Sequence, residues 1–184
     1  MPVDAACRAA STGPAMFDLC MRILRSLPPN SELVTYAVGA AGAAGLSCVS
    51  TMDAGKRMLG MGPSGCVADY STTCRAISGA ADQLGRCAFA DLRQGYMDAM
   101  AAIEDCTAKL AEVGGTSTPF YGMVLGNWDR TVTVFRLATS HALLYYRTGN
   151  HCRIKMSITV VGSTPVVILD SDSLTITAGP GTRQ

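Results

Sequence analysis

Twenty consecutive residues without a charge, Leu33 to Met52, constrain this chain more than any other feature. They lie between Glu32 and Asp53 and consist mainly of Ala, Gly, Val and small polar residues. Gly39, Gly42 and Gly45 recur at every third position. A segment this apolar is driven out of water, and its lack of bulk lets a neighbouring backbone come close. Ser31 is placed to cap it as a helix. Twenty residues also suffice to cross a bilayer, although Ala and Gly supply little transfer energy. A helix packed tightly in a bundle or an assembly is therefore expected, with membrane contact through 33–52 as the alternative.

The 184 residues suit one domain of ordinary size or two small ones. Hydrophobic residues make up 48% and charged residues 16%, enough apolar content for a real core and too little charge for a disordered chain. The formal net charge of +1 argues against a protein that lives on a phosphate backbone, so nucleic acid is not an expected partner. Eight cysteines stand at 7, 20, 48, 66, 74, 87, 106 and 152. The even number invites a disulfide reading, but no C-x-x-C or metal-finger spacing occurs, and residues 1–15 carry Asp4 and Arg8 where a secretory signal has an apolar run. Several fall on apolar helical faces, where a free thiol behaves as a small hydrophobe. Buried thiols in a reducing, intracellular compartment follow as the expectation.

Apolar periodicity divides the chain near Gly114-Gly115-Thr116-Ser117-Thr118-Pro119. Before that point it is helical. Met16, Phe17, Cys20, Leu24 and Leu27 place a helix over about 13–27, started by Thr12 and Pro14 and stopped by Pro28-Pro29. A glycine-punctuated turn is expected over 53–65. Cys74, Ile77, Ala81 and Leu84 mark a helix over 69–84, and a stripe from Phe89 to Val113 marks a long one over 87–113. After the boundary the chain reads as an antiparallel meander, with strands at 120–125, 131–137, 142–147, 152–161, 165–169 and 174–178. Ile154, Met156, Ile158 and Val160 alternate most cleanly. The expected fold class is α+β: a helical bundle or layer over 1–115, then a β-meander over 116–184 forming a small sheet, sandwich or partial barrel, the two integrated into one domain or separate. The first part holds nine basic and eleven acidic residues and the second six and three, a mild asymmetry.

No catalytic constellation survives inspection. Gly60-Met61-Gly62-Pro63-Ser64-Gly65 matches G-x-G-x-x-G, but no strand precedes it and Pro63 removes an amide that a phosphate would need. His141 and His151 lack the convergent partners of a metal site, although Asp170 and Asp172 lie within the same region. Ser140 and His141 are adjacent in an expected strand and so point to opposite faces. Glu104 and Asp105 diverge around a helix. No cofactor, metal or catalytic residue is assigned.

Asn127-Trp128-Asp129-Arg130 resembles, at three of four positions, the Asn-Trp-Gly-Arg box of anti-apoptotic regulators. That box opens a buried helix, whereas Thr131-Val132-Thr133-Val134 reads as stranded, so no role is carried over. Trp128 is kept as an aromatic anchor in the core or at an interface. The 33–52 segment is similar to the Gly-rich membrane helices of mitochondrial translocase-like and respiratory-complex accessory proteins. The sequence thus points to a non-catalytic structural or accessory subunit of a large assembly, such as an organellar membrane complex. A virion shell or matrix protein and a small ligand- or peptide-binding module are the alternatives. Gly39, Gly42, Gly45 and Trp128 are the candidate packing or interface residues, with other subunits or a second copy as partner.

Overall fold

Proline, glycine and threonine set the helix boundaries of this fold. Pro14 occupies the first turn of its helix, where a missing N–H costs nothing. Gly114 adopts φ 70°, the left-handed conformation that closes a helix, and its N–H bonds the carbonyl of Ala111 at 3.1 Å. A Cβ on Gly115 would sit 2.9 Å from the Leu110 carbonyl oxygen, so that position also requires glycine. Thr118 then starts the next helix: its Oγ1 accepts the N–H of Tyr121 at 3.3 Å, and Pro119 is the first helical residue.

In a computed structural model of the chain, the described residues are 1–59, 65–86, 88–148, 157–161 and 164–168. They form α1 (Val3–Ala10), α2 (Pro14–Leu24), α3 (Leu33–Leu59), α4 (Gly65–Gly85), α5 (Phe89–Glu112) and α6 (Pro119–Thr148). A short 3₁₀ turn, Gly115–Ser117, links α5 to α6. The helices α3 to α6 each pack on the next, and α6 returns to α3, closing a four-helix arrangement. Neighbours run antiparallel. Cys48 bonds Cys74 and Cys66 bonds Cys106, while Tyr96 stacks on Phe135 with ring centroids 3.8 Å apart. The short helices α1 and α2 are joined by Cys7–Cys20 and pack on α3 and α6.

This architecture corrects the α+β expectation: among the described residues the fold is all-helical, not a helical layer beside a sheet. The expected strands at 120–125, 131–137 and 142–147 are successive turns of α6. The described extended segments are one hairpin, Ser157–Val161 paired with Thr164–Ile168, which makes no sheet layer, sandwich or barrel. The expected strand at 174–178 and the parts of 152–161 and 165–169 beyond that hairpin lie outside the described residues. The turn expected from residue 53 is also displaced, since α3 stays helical to Leu59.

The misreading of α6 has a physical cause. Phe120, Val124, Asn127, Thr131, Val134 and Ala138 are buried at helical spacing, so a core-facing stripe exists. Two of its six members are polar, which breaks the stripe when only apolar residues are scored. Thr131-Val132-Thr133-Val134 meanwhile imitates strand alternation with β-branched residues. The helix absorbs both threonines by hydrogen-bonding their hydroxyls one turn back. Thr131 Oγ1 donates to the Asn127 carbonyl at 2.8 Å, and Thr133 Oγ1 donates to that of Asp129 at 2.9 Å.

Candidate functional site

The uncharged segment forms about the first three-quarters of α3, and its two faces differ. The inner face buries Tyr36, Ala37, Ala40, Ala41, Ala44 and Cys48 in the core. On the outer face Leu46 is 53% and Val49 47% exposed, with Ser50 beside them. Charge returns only at the end of the helix, where Lys56 pairs with Asp53 at 3.7 Å. Residues Leu33–Met58 are long and apolar enough to cross a membrane, but half of that window is buried inside the bundle.

The candidate interface residues divide by what they meet. A Cβ on Gly39 would lie 2.4 Å from Leu27 Cδ1, so Gly39 does admit a close neighbour. At Gly45 the nearest atom would be Ser78 Oγ at 4.0 Å, and nothing there demands glycine. Gly42 is half-buried on the same helix. Trp128 is half-buried and packs against the core from α6. Three of the four candidates thus lie on α3 and the fourth on α6. A second close approach of α3 occurs where the repeat was not read: a Cβ on Gly55 would fall 2.7 Å from the Phe120 ring.

Beneath that contact lies a buried polar node that periodicity gave no reason to expect. Asn127 of α6, Thr51 of α3 and Tyr70 of α4 are each at most 1% exposed. The Asn127 side-chain amide donates to Thr51 Oγ1 at 2.8 Å and to the Tyr70 hydroxyl. The Thr51 hydroxyl in turn donates a hydrogen bond to the Ser47 carbonyl at 2.9 Å. Asn127 Oδ1 is buried and has no hydrogen-bond partner among the described residues. Desolvation pushes the Tyr70 phenol up to about 12, against the lowering effect of its bonds to Asn127 and Thr51. At neutral pH it stays protonated and serves as a hydrogen-bonding group. The one sequence signal was the Asn127-Trp128-Asp129-Arg130 motif. Its surroundings are helical after all, but it sits inside α6 and does not open it.

The cysteine expectation is corrected as well. In place of buried thiols, six of the eight form Cys7–Cys20, Cys48–Cys74 and Cys66–Cys106, with Cα atoms 5.5, 5.5 and 4.1 Å apart. Cys87 and Cys152 lie outside the described residues. Among the described residues no group of three or more His, Cys, Asp or Glu side chains could hold a metal. Gly65 of the glycine-rich match is the first residue of α4; residues 60–64, His151, Asp170 and Asp172 lie outside the description, as does the His141 side chain.

A surface cleft of about 580 Å³ separates the start of α2 from the middle of α6, with Met16, Leu19 and Arg22 on one wall and Gly126, Asp129 and Arg130 on the other. Comparison of the chain with known protein families, with curated proteins and with solved structures gives no match.

Proposed function

We propose that the protein is a non-catalytic structural subunit of a larger protein assembly, docked through the outer face of α3. One observation carries this reading: Leu46 and Val49 stand half-exposed on the uncharged stretch of a helix whose opposite face is locked into the bundle. Leaving two large apolar side chains in water on one helix face forgoes the free energy their burial would supply. The three cystines favour an oxidising compartment for that assembly over a reducing one.

The test is a Leu46→Glu/Val49→Glu double variant expressed in the cells that make the protein. The wild-type chain is expected to sediment in a large complex. The double variant is expected to move to the monomer fraction with its circular dichroism and melting temperature unchanged. A wild-type chain that is already monomeric at native concentration, or a variant that stays in the complex, rejects the reading. Loss of vesicle flotation in the variant, without any change in protein complexes, would transfer the face to a membrane.

A further inference from the structure

We propose that the cleft between α2 and α6 binds a small organic monoanion: a carboxylate carrying a short apolar chain. The proposal rests on the geometry of the cleft and does not depend on α3, which contributes none of its lining residues.

Its volume of about 580 Å³ lies within the range of small-molecule sites. The cationic wall is built in a particular way. Arg130 curls back along its own helix and donates from Nη1 to the Gly126 carbonyl at 2.8 Å. Gly126 makes room for this: a Cβ there would stand 3.1 Å from that same nitrogen. The contact uses one donor of a guanidinium that has five, and it fixes the plane of the rest at the cleft wall. Arg22 lines the same cleft from α2. Neither arginine has a carboxylate partner among the described residues. Guanidinium N–H pairs match the two oxygens of a carboxylate, which gives an anion a bidentate seat.

Charge balance and lining chemistry then narrow the class. Asp129 also lines the cleft, so two cations face one anion, a balance that suits a single negative charge and disfavours a polyphosphate. Pro14, Met16 and Leu19 supply an apolar wall next to the arginines. An alkyl chain gains from leaving water there, and inorganic phosphate does not.

The experiment is titration calorimetry of the full oxidised chain with octanoate, with 1-octanol and inorganic phosphate as comparison probes. Saturable binding of one octanoate per chain is expected. Arg130→Gln and Arg22→Gln should each weaken it about tenfold, the loss of one charge-assisted contact. Octanol and phosphate should each bind at least about tenfold more weakly than octanoate, on the same scale. Arg22 is exposed, so its variant remains informative if Arg130→Gln unfolds. Absence of saturable octanoate binding overturns the proposal. So does equal affinity for octanol, equal affinity for phosphate, or indifference to both arginine variants. The Leu46→Glu/Val49→Glu variant should bind octanoate as the wild type does, which separates failure of this site from failure of the α3 interface.

Discussion

Helices α3, α4 and α5 are joined by covalent bonds, whereas α6 contains no cysteine and is held by contacts alone. Both regions are buried and both belong to the same four-helix arrangement. They respond to different variables. A cystine acts largely by restricting the unfolded chain, so its contribution depends on redox state and on loop length. The α6 contacts depend on shape and on hydrogen-bond satisfaction: the Phe120 ring over Gly55, the Asn127 node, and the Tyr96–Phe135 stack. The lesson is that equal burial does not mean equal vulnerability. Reductant attacks one part, core substitution attacks the other, and alkali attacks the Tyr70–Asn127 contact that joins them.

The largest test of that contrast is reduction. The three loops span 13, 26 and 40 residues. On the chain-entropy account each contributes about 3–4 kcal/mol, on the order of 10 kcal/mol together. That is comparable with the whole stability of an ordinary domain. Thermal melting in excess dithiothreitol should therefore show the cooperative transition lost or lowered by tens of degrees; a transition unmoved by reductant would mean the cross-links do not support the fold.

Next comes Phe120→Ala, expected to cost about 3–5 kcal/mol because it empties a fully buried site. Hydrogen exchange should rise in α6 before it rises in α4. Uniform loss of protection would show that the cystine-linked helices and α6 open as one unit.

The third test is alkaline. Burial raises the Tyr70 pKa to about 12 from 10.0. The folded state therefore keeps a proton that the unfolded chain releases. The Tyr70 contribution is fully present below pH 10 and declines as pH rises from there toward 12, at about 1.4 kcal/mol per pH unit. Tyr70→Phe should lose about 1 kcal/mol at neutral pH and show a shallower fall of stability between pH 10 and 12. Parallel alkaline profiles for the two proteins would remove Tyr70 as the cause.

The smallest expected effect is a gain. Gly45→Ala should stabilise the protein by about 0.5–1 kcal/mol, since the new methyl meets only Ser78 Oγ, at an ordinary 4.0 Å, and helix entropy improves. A loss in denaturant unfolding would restore the view that the whole glycine series requires bare backbone.

Much of the bundle was legible where one physical rule acted alone. Cys20 and Leu24 on α2, Ile77 and Leu84 on α4, and Leu92, Ile103 and Leu110 on α5 repeat at helical spacing and are buried. The uncharged segment was legible as a helix because nothing in it competes with helical packing. Legibility failed where two rules met in the same residues. Thr131 and Thr133 carry strand propensity and helical placement together, and only the i−4 hydrogen bonds decide between them. Thr118-Pro119 is a helix start that followed a Gly-Gly stop so closely that the pair read as a loop. The cysteines were correctly placed on apolar faces, but Cys48–Cys74 and Cys66–Cys106 depend on the antiparallel register of three helices, which spacing along the chain does not encode. The α2–α6 cleft and the Asn127 node were hidden for the same reason, each being assembled from distant elements.

The order of the four bundle cysteines along the chain has a consequence for biogenesis. Cys66 lies between Cys48 and Cys74, and Cys74 lies between Cys66 and Cys106, so the two cystine loops interleave. Four cysteines admit three pairings, and joining Cys48 to Cys66 and Cys74 to Cys106 closes shorter loops in a slack polypeptide, as does joining Cys66 to Cys74. Premature oxidation therefore favours scrambled isomers, and the native weave is selected only after the helices have come into register. A cell that makes this protein well must delay the oxidant or supply a catalyst that reshuffles errors.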